Sequence, residues 1–377
     1  MHDARDAAGS ILALTRDMRL QSARDLKDQL LQDVVLPVAN AASALGIHAV
    51  AARARAGVHA PAIFAVGARP FEALPDVQRS VALGVAPHKD GYRLAVRVQR
   101  QALLSDPLVE HLVREARNEA DVRMIGRIDK RARRRATATA TAAPWFRGNV
   151  RPLVIGASIG HFRVTAGTLG AFVERGNELF VLSNNHVLAN EDDAASGDWI
   201  LQRARLDGGR QPRDRVARLR HWIRFKRRKT NFVDAALGAL DDGIEIDPTL
   251  LRGITGRGNR RLAGLGPEMV DEGDTVYKVG RTTGATRGRV TAFDLDNVVV
   301  GYDVGNVRFD GQIEIEGAGK LPFSDGGDSG SLIVDRRMEA VALLFAGSET
   351  GGRDGLGLTY ANPIHRVLDD LKATLLW

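Results

Sequence analysis

From about Arg151 onward the chain is cut into short apolar runs by turn-forming residues, and this punctuation constrains the fold more than any other feature. The runs are Thr168 to Val173, Leu179 to Ser183, Val233 to Leu240, Thr275 to Val279, Arg289 to Phe293, Val298 to Tyr302, Gln312 to Ile315, Ser331 to Val334 and Ala340 to Phe345. Such runs, bounded by glycine and other turn residues, favour strands. Their close spacing favours antiparallel barrels over units that alternate strand with helix. A closing helix is expected from about Ile364 to Leu375. The fold class expected is therefore mostly β.

The first 150 residues read differently. Ile11, Leu12, Leu14, Met18, Leu26, Leu30 and Leu31 recur at roughly helical spacing among charges, which predicts an amphipathic helix from about Ala4 to Val34. Pro37 ends it, and an alanine-rich stretch to about Ala56 offers a second helix. From Ser80 the pattern alternates, turns at His88-Lys89-Asp90-Gly91 and alternates again, as a hairpin does. Asp106-Pro107 opens a helix through about Asn118, because proline suits the first helical turn. A further strand is expected from Val122 to Ile128. The predicted division is a helical segment over 1–79, a small α+β domain over 80–129, a linker over 130–149 and a β domain over 150–377. In that last domain one barrel spans about 160–255 and another about 265–360. Within the linker, Arg131-Ala132-Arg133-Arg134-Arg135 reads as a solvated tether, with a cleavage-sensitive or regulatory segment as the sharper alternative.

Composition bounds the function. At 377 residues, 44% hydrophobic and 26% charged, the chain can bury a sizeable interior. It has no cysteine, which excludes disulfides, thiol nucleophiles and cysteine-rich zinc sites and suits a reducing compartment. Charges at Arg5, Asp6, Arg16, Asp17 and Arg19 interrupt any signal-peptide core, and no stretch of eighteen apolar residues occurs. A cytoplasmic location without membrane attachment is the expectation. The formal charge of +7 comes largely from arginine, but the basic residues are dispersed and few aromatics are interleaved with them, so nucleic acid is not the expected partner.

Three segments carry chemistry. A serine hydroxyl attacks an acyl group at neutral pH only with a base beside it and a carboxylate to orient that base. Leu182-Ser183-Asn184-Asn185-His186 places an imidazole just after an apolar strand. Asn231-Phe232-Val233-Asp234-Ala235 sets one carboxylate among apolar residues, where it needs a hydrogen-bonded partner. Gly326-Gly327-Asp328-Ser329-Gly330-Ser331 presents a serine in a glycine-rich turn that enters a strand.

In motif, order and spacing these segments resemble the trypsin-like (chymotrypsin-fold) serine peptidases. The resemblance implies two six-stranded antiparallel barrels with a C-terminal helix. It also implies a triad of His186, Asp234 and Ser329 in the cleft between the barrels, and an oxyanion hole made by the Gly327 and Ser329 amides. Asp328 would turn inward to fix the oxyanion loop. With about 150 residues ahead of the first barrel no freed N-terminus is at hand to pair it, so another partner must serve.

By the same likeness Phe323 would floor the first specificity pocket, with Phe345, Ala346 and Gly347 on one wall and Gly357, Leu358 and Thr359 on the other. An aromatic floor with glycine walls favours an apolar or small residue before the scissile bond and disfavours arginine or lysine. Arg151 to Leu153, Ser158 to His161 and Thr165 to Gly170, with the preceding hairpin, helix and strand, are similar to a bacterial group of such peptidases related to the plant narrow-leaf protease. The N-terminal region is then the expected restraint on an intracellular peptidase, through a regulatory protein, an oligomer or recruitment of one substrate.

Other motifs take plainer readings. Val279 to Gly288 is glycine-rich but lacks the Gly-Lys-Ser/Thr ending of a phosphate loop, and is expected to be a hairpin. The basic run Arg224 to Lys229 is expected to be a solvated loop. No His-Glu-x-x-His pair occurs, so neither a metal nor another cofactor is expected. The order His, Asp, Ser is opposite to that of α/β-hydrolase esterases. A silent peptidase-like module that binds protein or nucleic acid is the remaining alternative.

Overall fold

The computed structural model describes residues 18–36, 80–89, 91–130, 144–255, 258–268, 273–352 and 355–377. The start of the first expected helix, the alanine-rich second one and the basic run from Arg131 lie outside them. Helix α1 (Leu20–Leu30) buries Ala23, Lys27 and Leu30 against the hairpin of β1 (Val81–His88) and β2 (Gly91–Val98). Helix α2 (Pro107–Glu115) begins where proline and its Asp106 cap predict, with Asp106 Oδ1 accepting from the Leu108 amide at 2.9 Å. It ends three residues earlier than the expected Asn118, because Arg117 and Asn118 take left-handed backbone. The expected strand Val122 to Ile128 is two, β3 (Ala120–Met124) and β4 (Ile128–Asp129), broken by Gly126 at φ 72°.

An eight-stranded antiparallel sheet follows. In chain order its strands are β5 (Ser158–His161), β6 (Gly167–Thr168), β7 (Ala171–Arg175), β8 (Glu178–Ser183), β9 (Trp199–Leu201), β10 (Arg215–Trp222) and β11 (Ala236–Leu240). Helix α3 (Asn185–Leu188) follows β8, and the eighth strand comes from the C-terminus. The ladder curls into a half-barrel that does not close. The reason is local: β6 has two residues, and the Thr168 amide bonds to the Ser329 carbonyl at 2.8 Å instead of to another strand of this sheet.

The second barrel is closed. Its strands are β12 (Thr275–Gly280), β13 (Gly284–Asp296), β16 (Gln312–Gly317), β17 (Leu332–Val334), β18 (Glu339–Ser348) and β19 (Leu358–Pro363), with the hairpin β14 (Val298–Tyr302) and β15 (Gly305–Phe309) inserted between β13 and β16. Pairing runs β12, β13, β16, β19, β18, β17 and back to β12, every pair antiparallel. The Val279 to Gly288 segment is the β12–β13 hairpin, with Gly280 opposite Gly284. Helix α4 (Ile364–Leu371) buries Ile364, Val367, Leu368 and Leu371 at i, i+3, i+4 and i+7 in the core of the first sheet. It stops short of the expected Leu375 because Lys372 is left-handed, which frees β20 (Thr374–Leu375) to pair with β7. This is a mostly β chymotrypsin fold: a half-barrel carrying His186 and Asp234, a closed barrel carrying Ser329, and a C-terminal helix.

The 80–130 region is continuous with the closed barrel. Strand β1 pairs with β13, and β4 lies between β14, in parallel, and β18, antiparallel. Arg97 on β2 is fully buried and bonds through Nε to both carboxylate oxygens of the equally buried Glu314 on β16, at 2.9 and 3.0 Å. Asp121, Thr291 and Tyr360 complete the network. Burial alone would raise the Asp121 pKa, but the Arg97 and Arg123 guanidinium groups together outweigh it and hold the carboxyl below its usual range.

Candidate active site

Strand β8 delivers the histidine. After Ser183 the chain turns through Asn184, whose φ of −78° and ψ of 159° are extended, into the single turn of α3. His186 is nearly buried, and its Nδ1 lies 2.5 Å from Asp234 Oδ2, while its backbone N–H donates to Oδ1 at 3.3 Å. A carboxylate can only accept, so the neutral imidazole carries its proton on Nδ1 and keeps a lone pair on Nε2.

Asp234 is fully buried, just ahead of β11. The expected strand from Val233 begins only at Ala236 because the aspartate's backbone is bound by side chains. Its N–H donates to Asn362 Oδ1 at 3.0 Å, and its carbonyl accepts from Asn184 Nδ2 at 2.7 Å. A third donor to the carboxylate was not foreseen: Tyr302 Oη, at the tip of β14, lies 2.8 Å from Oδ2. Burial and the Asp234 charge push the tyrosine's pKa well above its ordinary value, so it stays a donor. In the sequence Tyr302 merely ends an apolar run, and only the fold places it against Asp234.

The Ser329 turn needs its glycines. Gly330 has φ 90°, and a Cβ there would fall 2.1 Å from Ser183 Oγ and 2.4 Å from the Thr168 carbonyl. Gly327, at φ 98°, packs against Thr282 and Arg281. The partner required by Asp328 is Lys278. Both side chains are fully buried, and Lys278 Nζ lies 3.3 Å from Asp328 Oδ2. The carboxylate also accepts from the Thr282 amide at 2.7 Å, the Thr283 hydroxyl at 2.7 Å and the Asp325 amide at 3.0 Å. Beside this loop a buried bidentate pair, Arg281 with Asp207, ties the closed barrel to the half-barrel at 2.7 and 2.5 Å. Among the described residues neither the Gly327 nor the Ser329 amide donates to a protein acceptor.

The three residues of the expected triad are thus joined in part. His186 and Asp234 are directly bonded. Ser329 is linked to the strand that precedes His186 through Thr168, whose amide donates to the Ser329 carbonyl and whose carbonyl accepts from Ser183 Oγ, both at 2.8 Å, but the Ser329 hydroxyl donates to the Lys130 carbonyl at 3.4 Å and not to His186. Of the expected pocket residues, Gly347 faces Thr359 across β18 and β19, Thr359 Oγ1 lies 2.6 Å from Ser324 Oγ, and Gly357 closes on the Ser348 carbonyl. Phe323 and Phe345 are not brought together. Phe323 packs with Val276, Ile315 and Ile333, and Phe345 with Phe309, Tyr302 and Tyr360.

The Arg224 to Lys229 run is a loop tied down by Asn231, with its basic side chains exposed. Among the described residues no group of three or more histidine, aspartate or glutamate side chains is placed to hold a metal ion, and no helix is long and apolar enough to cross a membrane.

No family model matches the sequence, and no curated protein matches it. Solved structures do. Protease A of Thermobifida fusca aligns at 17% identity over 59% of this chain and 97% of its own, with a TM-score of 0.42. A chymotrypsin of Cellulomonas bogoriensis gives the same four values. A glutamic acid specific serine protease aligns at 19% identity over 59% of this chain and 100% of its own, with a TM-score of 0.44. The chemistry of the site therefore rests on its own geometry.

Proposed function

We propose that this chain is a serine endopeptidase in which Ser329 is the nucleophile, His186 the general base and then general acid, and Asp234 the group that orients the imidazole. The observation that carries the reading is the buried 2.5 Å contact between His186 Nδ1 and Asp234 Oδ2: the bond offsets the cost of burying the carboxylate and holds the imidazole in the tautomer with Nε2 free. Ser329 Oγ attacks the scissile carbonyl carbon while its proton passes to His186 Nε2. The carbonyl electrons move to oxygen, and the Gly327 and Ser329 amides donate hydrogen bonds to the resulting oxyanion. Collapse expels the amine, which takes the proton from His186, and water releases the acyl group by the same steps reversed. One oxyanion donor of this kind is worth about 10²–10³ in rate.

Lys278 supports this role by holding Asp328, and with it the oxyanion loop, without a freed N-terminus. Gly347, Gly357 and Thr359 form the specificity pocket. A cysteine-free chain suits a cytoplasmic enzyme, and kinship with the bacterial group related to the plant narrow-leaf protease accounts for the α+β region ahead of the barrels.

The competing reading, a silent peptidase-like binding module, draws support from the Ser329 hydroxyl being bonded to Lys130. Casein hydrolysis by the full chain, with Ser329→Ala and His186→Ala alongside, separates the two. Loss of at least about a thousandfold in either variant is expected, and equal inactivity of all three proteins would favour the module.

A further inference from the structure

We propose, resting on the peptidase reading, that Glu191 and Asp303 form a subsite for a lysine or arginine side chain of the substrate, and that the chain's own Lys130 occupies it. Residues Ile128 and Asp129 are an extended strand inserted between two sheet edges. They pair antiparallel with Ser348 and Gly347 on β18 and parallel with Val300 and Gly301 on β14, and the Lys130 amide donates to the Gly301 carbonyl at 3.2 Å. These are main-chain contacts that any extended peptide could make, the mode in which strand addition supplies affinity and side-chain pockets supply selectivity. The segment ends on the nucleophile, since the Lys130 carbonyl receives the Ser329 hydroxyl.

The selective contact is the Lys130 side chain. Its ammonium pairs with Glu191 and lies 2.8 Å from Asp303 Oδ2. Glu191 is only 5% exposed, so its carboxylate is disfavoured unless a cation meets it. Its other oxygen accepts from the Val304 amide at 2.9 Å, which fixes it against the β14–β15 turn that also carries Asp303. Asn190, Glu191 and Asp192 all take left-handed backbone, with φ of 48°, 57° and 73°, held by Asn185 bonding Asp192 one residue before His186. A substrate strand replacing residues 128–130 would meet the same two carboxylates, and only a basic side chain at the Lys130 position would neutralise them.

The test has a structural and a binding arm, neither needing turnover. Hydrogen exchange of the 127–130 amides in the full chain should rise at least tenfold in Lys130→Glu, stay unchanged in Lys130→Arg, and return toward the parent rate when Lys130→Glu is combined with Glu191→Lys. In the Lys130→Glu protein, fluorescein-labelled Arg-Ile-Asp-Lys should bind at least tenfold more tightly than Arg-Ile-Asp-Ala by fluorescence anisotropy. Equal exchange in all variants, or equal affinity for the two peptides, would overturn the assignment. Fluorophosphonate labelling of the same proteins keeps the two readings apart: no label on Ser329 with the peptide discrimination intact removes the hydrolytic role and leaves the basic subsite standing.

Discussion

Asp234 accepts from an imidazole, a backbone amide and a phenol, and the phenol is the contact whose removal is most informative. Tyr302→Phe keeps the ring against Phe225 and Phe309 but leaves Asp234 Oδ2 with one donor fewer. A hydrogen bond to a charged group is worth about 1.5–3 kcal/mol, so kcat on a peptide substrate should fall about ten- to a hundredfold with little change in KM. A second histidine, His161, is fully buried, with Nε2 3.0 Å from Asp198 Oδ2 and Nδ1 accepting from the Arg163 amide. Burial lowers its pKa, outweighing the pull of Asp198 toward the charged form. The unfolded chain therefore binds this proton more readily, so the His161 contribution is complete above the ordinary imidazole value of about 6.5 and is lost as pH falls below it. Urea midpoints at pH 8 and pH 5.5 should differ less in His161→Phe than in the parent protein. At this scale the sequence singled out His186, Asp234 and Ser329 because each sits in a distinctive local setting, and the structure bonds the first two to each other. Tyr302, Lys278 and Glu191 stayed hidden, since a tyrosine closing an apolar run or a lysine within a strand carries no local mark of its partner.

At the scale of elements, the strands from Thr275 to Phe345 were legible because alternation and glycine punctuation are local properties. The misplaced ends have equally local causes: left-handed Arg117, Asn118 and Lys372 stop two helices early, and side-chain hydrogen bonds at Asp234 delay β11. Pairing between distant elements was not legible. Arg97 and Glu314 stand 217 positions apart, and nothing near either residue announces the other. Their bond attaches β2 to β16 of the closed barrel, so Arg97→Met should strand a buried carboxylate and cost about 3–5 kcal/mol in urea unfolding. A change below about 1 kcal/mol would mean that the N-terminal strands are held by other contacts. Adding Glu314→Leu should recover much of the loss, because replacing both members of a buried pair by apolar groups is often nearly neutral.

Over the whole molecule, the half-barrel carries His186 and Asp234, and the closed barrel carries the Ser329 loop. Two contacts join the halves, Thr168 with Ser329 and Arg281 with Asp207, and the proposed mechanism depends on them to keep the three groups in one place. The order of motifs along the chain disclosed this two-part plan, but the strand Ile128–Asp129 laid beside Ser329 was invisible to it, because its partners Gly301 and Gly347 lie in other elements. The most direct test is to treat the full chain with a fluorophosphonate and locate the modified residue by mass spectrometry. The account expects the adduct on Ser329, with labelling slowed by orders of magnitude in His186→Ala and Asp234→Ala. An adduct on another serine, or undiminished Ser329 labelling in His186→Ala, would contradict it.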